Sequence, residues 1–240
     1  MRISSQEQNP TIIVPSFSSE SINGAYYDTI VSTLSERRIA LDMALSRLMT
    51  QTSILTDIAA RLIETLRSGH KVLVVGNGGS AAEAQHFAAE LVGRFKRDRT
   101  PYAVLALTTD TSILTAVAND YGYQEVFARQ VTAFGQPRDL LLAFSTSGES
   151  ENILHAAQAG HACHMTVVAI TGELSNRLEM VSDVTLKMPL CDTALVQELH
   201  MIVTHILCDI VEMHLSSLEE AIPVGTDVAR TFSSQDEWSL

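Results

Sequence analysis

Residues 71–95, KVLVVGNGGSAAEAQHFAAELVGRF, constrain the fold of this chain more than any other stretch of the sequence. They begin with a β-branched apolar run, pass through a glycine-rich turn, and continue into an alanine-rich segment with apolar residues at helical spacing. This order predicts a strand, a loop and a helix. Because a helix start carries unpaired N–H groups and partial positive charge, and glycines allow close approach, the loop suits an anion.

Four further β-rich runs follow the opening strand at residues 72–75, and helix-capable segments separate them. The runs are residues 102–107, 139–145, 165–171 and 183–189. Short apolar strands that alternate with helices predict an α/β fold with a parallel sheet that is buried on both faces. Ligands of such sheets bind outside the carboxyl ends of the strands, so the residues just after each run are the candidates for a site.

The rest of the chain predicts helices and polar ends. The length of 240 residues and the 46% hydrophobic content fit one domain with appendages. Residues 1–22 predict a flexible N-terminal arm, and residues 220–240 predict an irregular tail. The domain between them, residues 23–219, includes one or two amphipathic N-terminal helices and a long helix over residues 192–218.

Composition excludes several classes of protein. A formal net charge of −12 argues against a nucleic-acid partner, which needs clustered Lys and Arg. The three cysteines, Cys163, Cys191 and Cys208, are irregularly spaced and predict neither disulfides nor a thiolate metal site. The N-terminus lacks a long apolar core, and no run of 18 or more apolar residues occurs. We therefore expect a cytoplasmic protein without a membrane partner.

A second anion-suited turn follows the run at residues 139–145. Its sequence is Ser145-Thr146-Ser147-Gly148-Glu149-Ser150, and it leads into a helix-capable segment. Hydroxyls and N–H groups at a helix start can hold an anion, although one serine there often serves only as an N-cap. Four hydroxyls in six residues exceed what one cap requires. The turn therefore predicts a second part of a binding site.

Two predicted helices carry groups that can bind a metal or move protons. His86 and Glu90 lie four residues apart, and Gln197 and His205 lie eight apart, so each pair shares one helix face. The four side chains together offer two nitrogens and two oxygens, which zinc accepts, although the spacing equally fits ordinary helix pairs. The remaining histidines are interpreted as surface or core residues: His70, His155, His161, His164, His200 and His214.

The glycine-rich turn does not fit a nucleotide. Gly76, Gly78 and Ala81 satisfy the spacing of a dinucleotide fingerprint, but the acidic residue expected about 20 positions later is absent. The P-loop lysine is missing as well. A phosphate on a small ligand is the better interpretation.

Four motifs in order resemble the sugar isomerase (SIS) domain family over residues 40–212: GNGGSAAEAQHFAAELVGRF, LTTDTSILTAVANDYGYQEVFARQV, STSGES and VQELHMIVTHILCDIVE. Within that family the resemblance is to enzymes that convert sedoheptulose 7-phosphate to D-glycero-D-manno-heptose 7-phosphate. It implies a single SIS domain with a five-stranded parallel sheet flanked by helices. It also implies a homotetramer with active sites at subunit interfaces.

The resemblance further implies a role for individual residues of this sequence. Glu90 and His205 match the acid/base pair, and the zinc ligands of some members match His86, Glu90, Gln197 and His205. The residues that match contacts to the sugar phosphate are Asn77, Gly78, Gly79, Glu90, Arg94, Asn119, Asp120, Ser145, Thr146, Ser147, Ser150 and Gln197.

Such chemistry moves a proton between adjacent carbons through an enediol, with Glu90 as the base and His205 as the partner acid. Because a glutamate bound to zinc is less available as a base, either the metal bond loosens during turnover or one of its two roles is wrong. The alternative function is a non-catalytic SIS protein, either a replication-initiator partner or a sugar-phosphate sensor.

The sequence departs from the family pattern at two places. Glu149 stands where the family commonly has Asn, and a carboxylate there opposes anion binding if it points toward the turn. Ser175-Asn176 replaces a usual glycine pair, and Asn tolerates a left-handed backbone better than most residues.

Overall fold

The N-terminal part of the chain is helical, as the apolar spacing predicts. The computed structural model describes residues 19–221. Helix α1 spans Ser19–Leu48, a short 3-10 turn spans Met49–Gln51, and helix α2 spans Thr52–Arg67. The buried residues Leu55, Ile58 and Leu62 recur at helical spacing, so α2 presents one apolar face to the core.

The five predicted strands form one parallel sheet. They are β1 Val72–Val75, β2 Val104–Ala106, β3 Leu140–Ser145, β4 Thr166–Thr171 and β5 Val184–Lys187. Their order in the sheet is β2-β1-β3-β4-β5, and all four pairings are parallel. The direction of strand succession therefore reverses between β1 and β3, and this switch point is where open α/β sheets bind ligands.

Helices connect the strands as the alternating pattern predicts. They are α3 Gly79–Val92, α4 Thr111–Tyr121, α5 Ala128–Phe134, α6 Glu151–Ala162, α7 Arg177–Met180 and α8 Thr193–Ala221. The predicted cap of the long helix is confirmed, because Asp192 Oδ1 accepts a hydrogen bond from the Leu195 N–H at 2.9 Å.

Helix α8 is strongly apolar over most of its length. Its segment Thr193–Leu218 has a mean hydropathy of 1.5 and passes the length and composition test for crossing a membrane, as a core helix also does. Val196, Leu199, Val203 and Leu207 recur at helical spacing and are buried against the rest of the domain. That face of the helix therefore belongs to the core.

Successive residues of each strand point to opposite faces of the sheet, and a layer of helices covers each face. One core cluster joins Leu73, Leu141 and Val167 to apolar residues of α5, α6 and α7. Residues between them point to the opposite face, where the ring of Phe144 lies 5.7 Å from the ring of His200 on α8. The sheet is thus covered on both sides, and α8 belongs to the second layer.

The chain divides into two units, Met1–Met43 and Ala44–Leu240. In the first unit the described residues form most of α1. The second unit holds the sheet, the remaining helices and every candidate site residue. The predicted arm and tail lie outside the described residues, except that α1 begins at Ser19 and α8 ends at Ala221; the boundary of the domain at residues 23–219 stays a prediction.

Candidate active site

Two loops meet where the direction of the sheet reverses. The glycine loop, residues 76–80, follows β1, and the serine loop, residues 145–150, follows β3. Asn77 and Asn152, in the first turn of α6, exchange two amide hydrogen bonds of 2.8 Å. Tyr123 adds a third, because its hydroxyl donates to Asn77 Oδ1 at 3.1 Å. These bonds tie the two loops together at the carboxyl edge of the sheet.

A close approach explains one glycine of the first loop. A Cβ atom added to Gly79 lies 2.3 Å from Gln197 Nε2, well inside van der Waals contact. Glycine therefore leaves room for the amide of Gln197 against the start of α3, and a larger residue would require that side chain to move. The structure thereby places two predicted substrate contacts, Gly79 and Gln197, side by side.

Three of the four predicted metal ligands form one group. His86 Nε2 lies 2.9 Å from His205 Nε2 and 3.4 Å from Glu90 Oε1. One ligand atom from each residue lies within 4.8 Å of the other two. The side chains of His86 and Glu90 are 38% and 22% exposed, so the group is open to a ligand from solvent.

The geometry of this group fits zinc. A tetrahedral zinc with bonds of about 2.0–2.1 Å separates two nitrogens by about 3.4 Å, so a small rotation of either imidazole accommodates the ion. Gln197 lies eight residues before His205 on α8, which is about 12 Å of helix rise. In this structure its side chain faces Gly79. Three predicted ligands are therefore together, and the fourth faces the glycine loop.

Helices α3 and α8 hold this group because they pack in a parallel register. Glu83 meets His200, His86 meets His205 and Lys96 meets Asp209, with sequence separations of 117, 119 and 113 residues. The partners on α8 therefore follow one another in the same order as the residues on α3 and just after it, although not in equal steps. The Glu83–His200 pair is buried one turn before the His86 group, with a 3.1 Å contact between Oε2 and Nδ1.

A second buried network supports the ring of His205. The Phe95 ring stacks on His205, with centroids 5.5 Å apart and an angle of 23°. Glu212 accepts hydrogen bonds from three backbone N–H groups, those of Phe95, Lys96 and Arg97, at 2.7–3.0 Å. Its carboxylate also lies 3.3 Å from Arg99, and both side chains are buried. Glu212 therefore fixes the loop that carries Phe95.

The pKa of Glu212 is lowered from its ordinary value although burial acts to raise it. The three backbone donors and the Arg99 guanidinium stabilise the ionised form and outweigh the desolvation. The same Arg99 donates to the carbonyl oxygens of Glu90 and Leu91, at 3.0 and 2.9 Å. It therefore binds the C-terminal turn of the helix that carries Glu90.

The serine loop is folded on itself and keeps hydroxyl donors. Ser145 Oγ accepts a hydrogen bond from the Gly148 N–H at 3.0 Å, and Ser147 Oγ accepts one from the Glu149 N–H at 3.2 Å. A hydroxyl that accepts one hydrogen bond still has its proton to donate. Ser150 occupies the N-cap of α6 and makes no side-chain capping bond, which weakens the interpretation of this serine as a simple cap.

Glu149 does not turn its carboxylate back to the serine loop. Its Oε1 accepts a hydrogen bond from the Arg177 N–H, at the start of α7, at 2.9 Å. The Asn176 side chain caps the same helix through the Glu179 N–H at 2.9 Å. Its φ of −148° is extended, so the expected use of asparagine for a left-handed backbone is wrong. Both departures from the family pattern therefore stabilise α7.

Three predicted contacts lie at the surface, apart from the His86 group. Arg94 is exposed just after α3, and Asn119 and Asp120 are exposed near the end of α4. Asn119 Nδ2 donates to Asp120 Oδ1 at 2.8 Å. No described contact joins these three residues to the glycine loop or to the serine loop.

A cleft of about 450 Å³ opens at the junction of the two loops. It is lined by Asn77, Tyr123, Ser150, Asn152 and His155. Sequence reasoning missed Tyr123 and Asn152 as partners of Asn77, as well as Phe95 and Glu212 as supports of His205. The one available signal was the position of Asn152 two residues after a predicted anion loop.

These features define an α/β domain with a cleft at a topological switch point and with a separate group of side chains able to transfer a proton or hold a metal. The chain belongs to the SIS domain family, whose model matches residues 40–172.

Known relatives share one name. A phosphoheptose isomerase from Thiobacillus denitrificans is 52% identical over 165 residues, which are 68% of this chain and 84% of that protein. One from Roseiflexus is 46% identical over 182 residues, covering 76% and 92%. The solved structure of a phosphoheptose isomerase from Neisseria gonorrhoeae matches with a TM-score of 0.72 and 38% identity, over 78% of this chain and 99% of that one.

Proposed function

We propose that this chain is a phosphoheptose isomerase, which converts sedoheptulose 7-phosphate to D-glycero-D-manno-heptose 7-phosphate. The observation that carries the proposal is the approach of Glu90, His86 and His205 on two parallel helices beside the glycine loop. The relatives that share this chain's sequence over most of their length bear the same enzyme name.

The serine loop is proposed to bind the phosphate. Ser145, Thr146, Ser147 and Ser150 supply hydroxyls, and the start of α6 supplies backbone N–H groups with partial positive charge. Because the carboxylate of Glu149 is engaged by the Arg177 N–H, it does not fill this position. The glycine loop, Gln197, Arg94, Asn119 and Asp120 are proposed to contact the sugar.

Glu90 and His205 are proposed to move the protons. The Glu90 carboxylate takes a proton from carbon 1 of the ketose and returns it to carbon 2, so that the intermediate is an enediol. His205 transfers the hydroxyl proton between oxygens 1 and 2. Nε2 of His205 lies 2.9 Å from Nε2 of His86, so in the absence of an ion between them one ring donates a hydrogen bond and the other accepts it.

A zinc ion is proposed at His86, Glu90 and His205, with Gln197 as the fourth ligand. When bound, such an ion polarises a carbonyl oxygen and stabilises negative charge that develops on it. The residues fit the ion by their types and by the separations of the three clustered groups. A carboxylate held by zinc is a weaker base, so the two proposed roles of Glu90 need separate measurements.

A homotetramer in the cytoplasm is also proposed. Helix α1 carries exposed apolar side chains that suit contact with another subunit, with Tyr27, Ile30 and Leu34 at 57–68% exposure. The expected location follows from the acidic composition and the unpaired cysteines.

The direct test is an assay with sedoheptulose 7-phosphate on the wild type, Glu90→Gln and the control Glu64→Gln. We expect kcat of Glu90→Gln to fall about 10²–10⁴-fold, while Glu64→Gln, at the opposite edge of the sheet, keeps full activity. Metal analysis of both variants then separates the roles, because loss of zinc as well as activity assigns Glu90 to the metal. Chelation followed by zinc addition tests whether the ion is required.

Absence of turnover in the wild type, with tight binding of a protein partner or of the sugar phosphate, would overturn the enzyme assignment in favour of a non-catalytic SIS protein. Turnover of a different ketose phosphate alone would keep the reaction class and reject this substrate.

A further inference from the structure

A second cleft lies at the amino-terminal edge of the sheet, opposite the candidate active site. Its volume is about 430 Å³, and we call it the amino-edge cleft. Arg61, Ser68 and His70 line it from the side of α2, and Arg138, His164 and Thr166 line it where β3 and β4 begin. It shares no lining residue with the cleft at the two loops.

Two strained residues face each other in this cleft. Arg138 has a φ of 74° and His164 a φ of 57°, and they are the two non-glycine residues with positive φ in the described part of the chain. The Arg138 N–H donates to the His164 carbonyl oxygen at 3.0 Å. The two strained residues therefore lie side by side, Arg138 just before β3 and His164 just before β4.

Each of these residues occupies a position where glycine is the usual choice. Asp139 N–H donates to the Gln136 carbonyl at 3.1 Å, which closes a turn with Pro137 second and Arg138 third. Positive φ at the third position defines a type II turn, which favours glycine there. His164 ends α6 in a Schellman motif, because His164 and Met165 donate to His161 and Gly160, and that motif also favours glycine.

No contact of the two side chains within the described chain offsets the strain of their backbones. Neither the Arg138 guanidinium nor the His164 imidazole makes a hydrogen bond or salt bridge in residues 19–221, and both are exposed. Strain kept at a cleft without an internal partner points to an external one.

Among the described residues that line the cleft, the guanidinium of Arg138 is exposed and makes no hydrogen bond or ion pair. Arg61 is paired with Asp57 at 3.1 Å. The buried carboxylate of Asp139 is held by the ammonium and N–H of Lys71 and lies 3.6 Å from His70.

The carboxylate of Glu64 also lines the cleft, but Arg67 and Ser68 bind it. These bonds keep its pKa below the ordinary value. Both carboxylates therefore have hydrogen-bond partners of their own, and the charge of Arg138 makes only a smaller contribution to the lowered pKa of Glu64.

We propose that the amino-edge cleft binds a small phosphate-bearing anion. The guanidinium of Arg138 supplies the charged contact, while the imidazole of His164 and the hydroxyl of Thr166 supply further donors. An arginine suits this ligand because its planar group can meet two phosphate oxygens together. The site is independent of the proposed isomerase reaction.

A purely structural explanation makes different predictions. Helices α2 and α6 both end near this cleft, and a basic residue near a helix C-terminus offsets the negative end of the helix dipole. If that were the only role, Arg138→Gln/His164→Gln, which keeps the backbone strain, would lower the thermal midpoint of unfolding and leave anion binding unchanged.

Equilibrium dialysis with radiolabelled inorganic phosphate at low ionic strength distinguishes the two explanations. We expect the wild type to bind one more phosphate per chain than the Arg138→Gly/His164→Gly variant. Ser147→Ala/Ser150→Ala, introduced into both proteins, removes binding at the serine loop and leaves this difference intact. Equal binding by wild type and the glycine variant in that background would overturn the proposal.

Two matched variants separate charge from strain. Arg138→Gln/His164→Gln keeps both Cβ atoms and removes the charge, so we expect loss of the extra phosphate without a higher thermal midpoint. The glycine variant relieves the backbone, so its midpoint is expected to rise by about 2–4 °C per relieved residue. Arg138→Lys is expected to retain the extra phosphate. A glutamine variant that still binds it would equally reject the proposal.

Discussion

The buried contact between Glu83 and His200 offers the sharpest test of the packing of α3 on α8. The two residues are 4% and 0% exposed, and one contact of 3.1 Å joins them. Their other polar atoms, Glu83 Oε1 and His200 Nε2, have no hydrogen-bond partner within the described chain, nor has the hydroxyl oxygen of Thr204 one turn further along α8. We predict a strong coupling between the two side chains.

The size of the expected coupling follows from the burial of both side chains. His200→Leu leaves the carboxylate of Glu83 buried without its partner, and Glu83→Met leaves the imidazole in the same state. Breaking a buried pair in this way costs about 3–5 kcal/mol of the free energy of unfolding. The double variant removes both groups and two unpartnered atoms, so we expect it to lie within about 1 kcal/mol of the wild type or to be more stable.

Urea unfolding of the four proteins at one protomer concentration measures the coupling. The control is the same cycle on Glu64 and Arg67, whose side chains are 55% and 56% exposed and whose coupling is expected below about 1 kcal/mol. If the double variant at Glu83 and His200 loses as much as the sum of its single variants, the two groups do not act as a pair and the reasoning fails.

Three further predictions follow from single residues. The pKa of Glu212 is lower in the folded state than its ordinary value of 4.5. Ionised Glu212 therefore stabilises the folded state above pH 4.5, and this stabilisation is lost as the pH falls through the folded-state pKa. Glu212→Gln should lower the free energy of unfolding by about 3–5 kcal/mol at pH 7 and make stability less dependent on pH in the acid range. Burial, with Glu90 nearby, raises the pKa of the Cys208 thiol, while Cys191 is exposed; a thiol reagent should label Cys191 in the native protein and Cys208 only after unfolding. Gly79→Ala should displace the flexible Gln197 side chain and lower isomerase activity with little loss of stability, whereas Ala82→Gly, at an exposed position of the same helix, should cost about 1 kcal/mol of the free energy of unfolding and leave activity unchanged.

The strands and the long helix were predictable because their signals are local. The five apolar runs are short and bounded by turn residues, and α8 begins after a capping Asp192. Spacing within α3 also placed His86 and Glu90 on one face. These features depend on residues a few positions apart, which periodicity resolves.

The contacts between distant segments were not predictable in that way. Spacing places Gln197 and His205 on one stripe, yet the partner of each depends on how α8 slides along α3. The direction of the Glu149 carboxylate depends on α7, which begins 28 residues later. The three N–H groups bound by Glu212 lie at least 115 residues away. Only the family resemblance predicted that Glu90 and His205 form an acid/base pair.

The parallel packing of α3 and α8 links the occupancy of the site to the strength of the fold. Sliding one helix by a single residue shifts it about 1.5 Å along its axis and separates His86 from His205 as well as Glu83 from His200. A ligand that bridged His86, Glu90 and His205 would therefore oppose this sliding of α3 against α8. Because a ligand of the folded state adds RT ln(1 + [L]/Kd) to its stability, thermal midpoints measured with and without added zinc would report the alignment of these three side chains, even in variants that have lost all turnover.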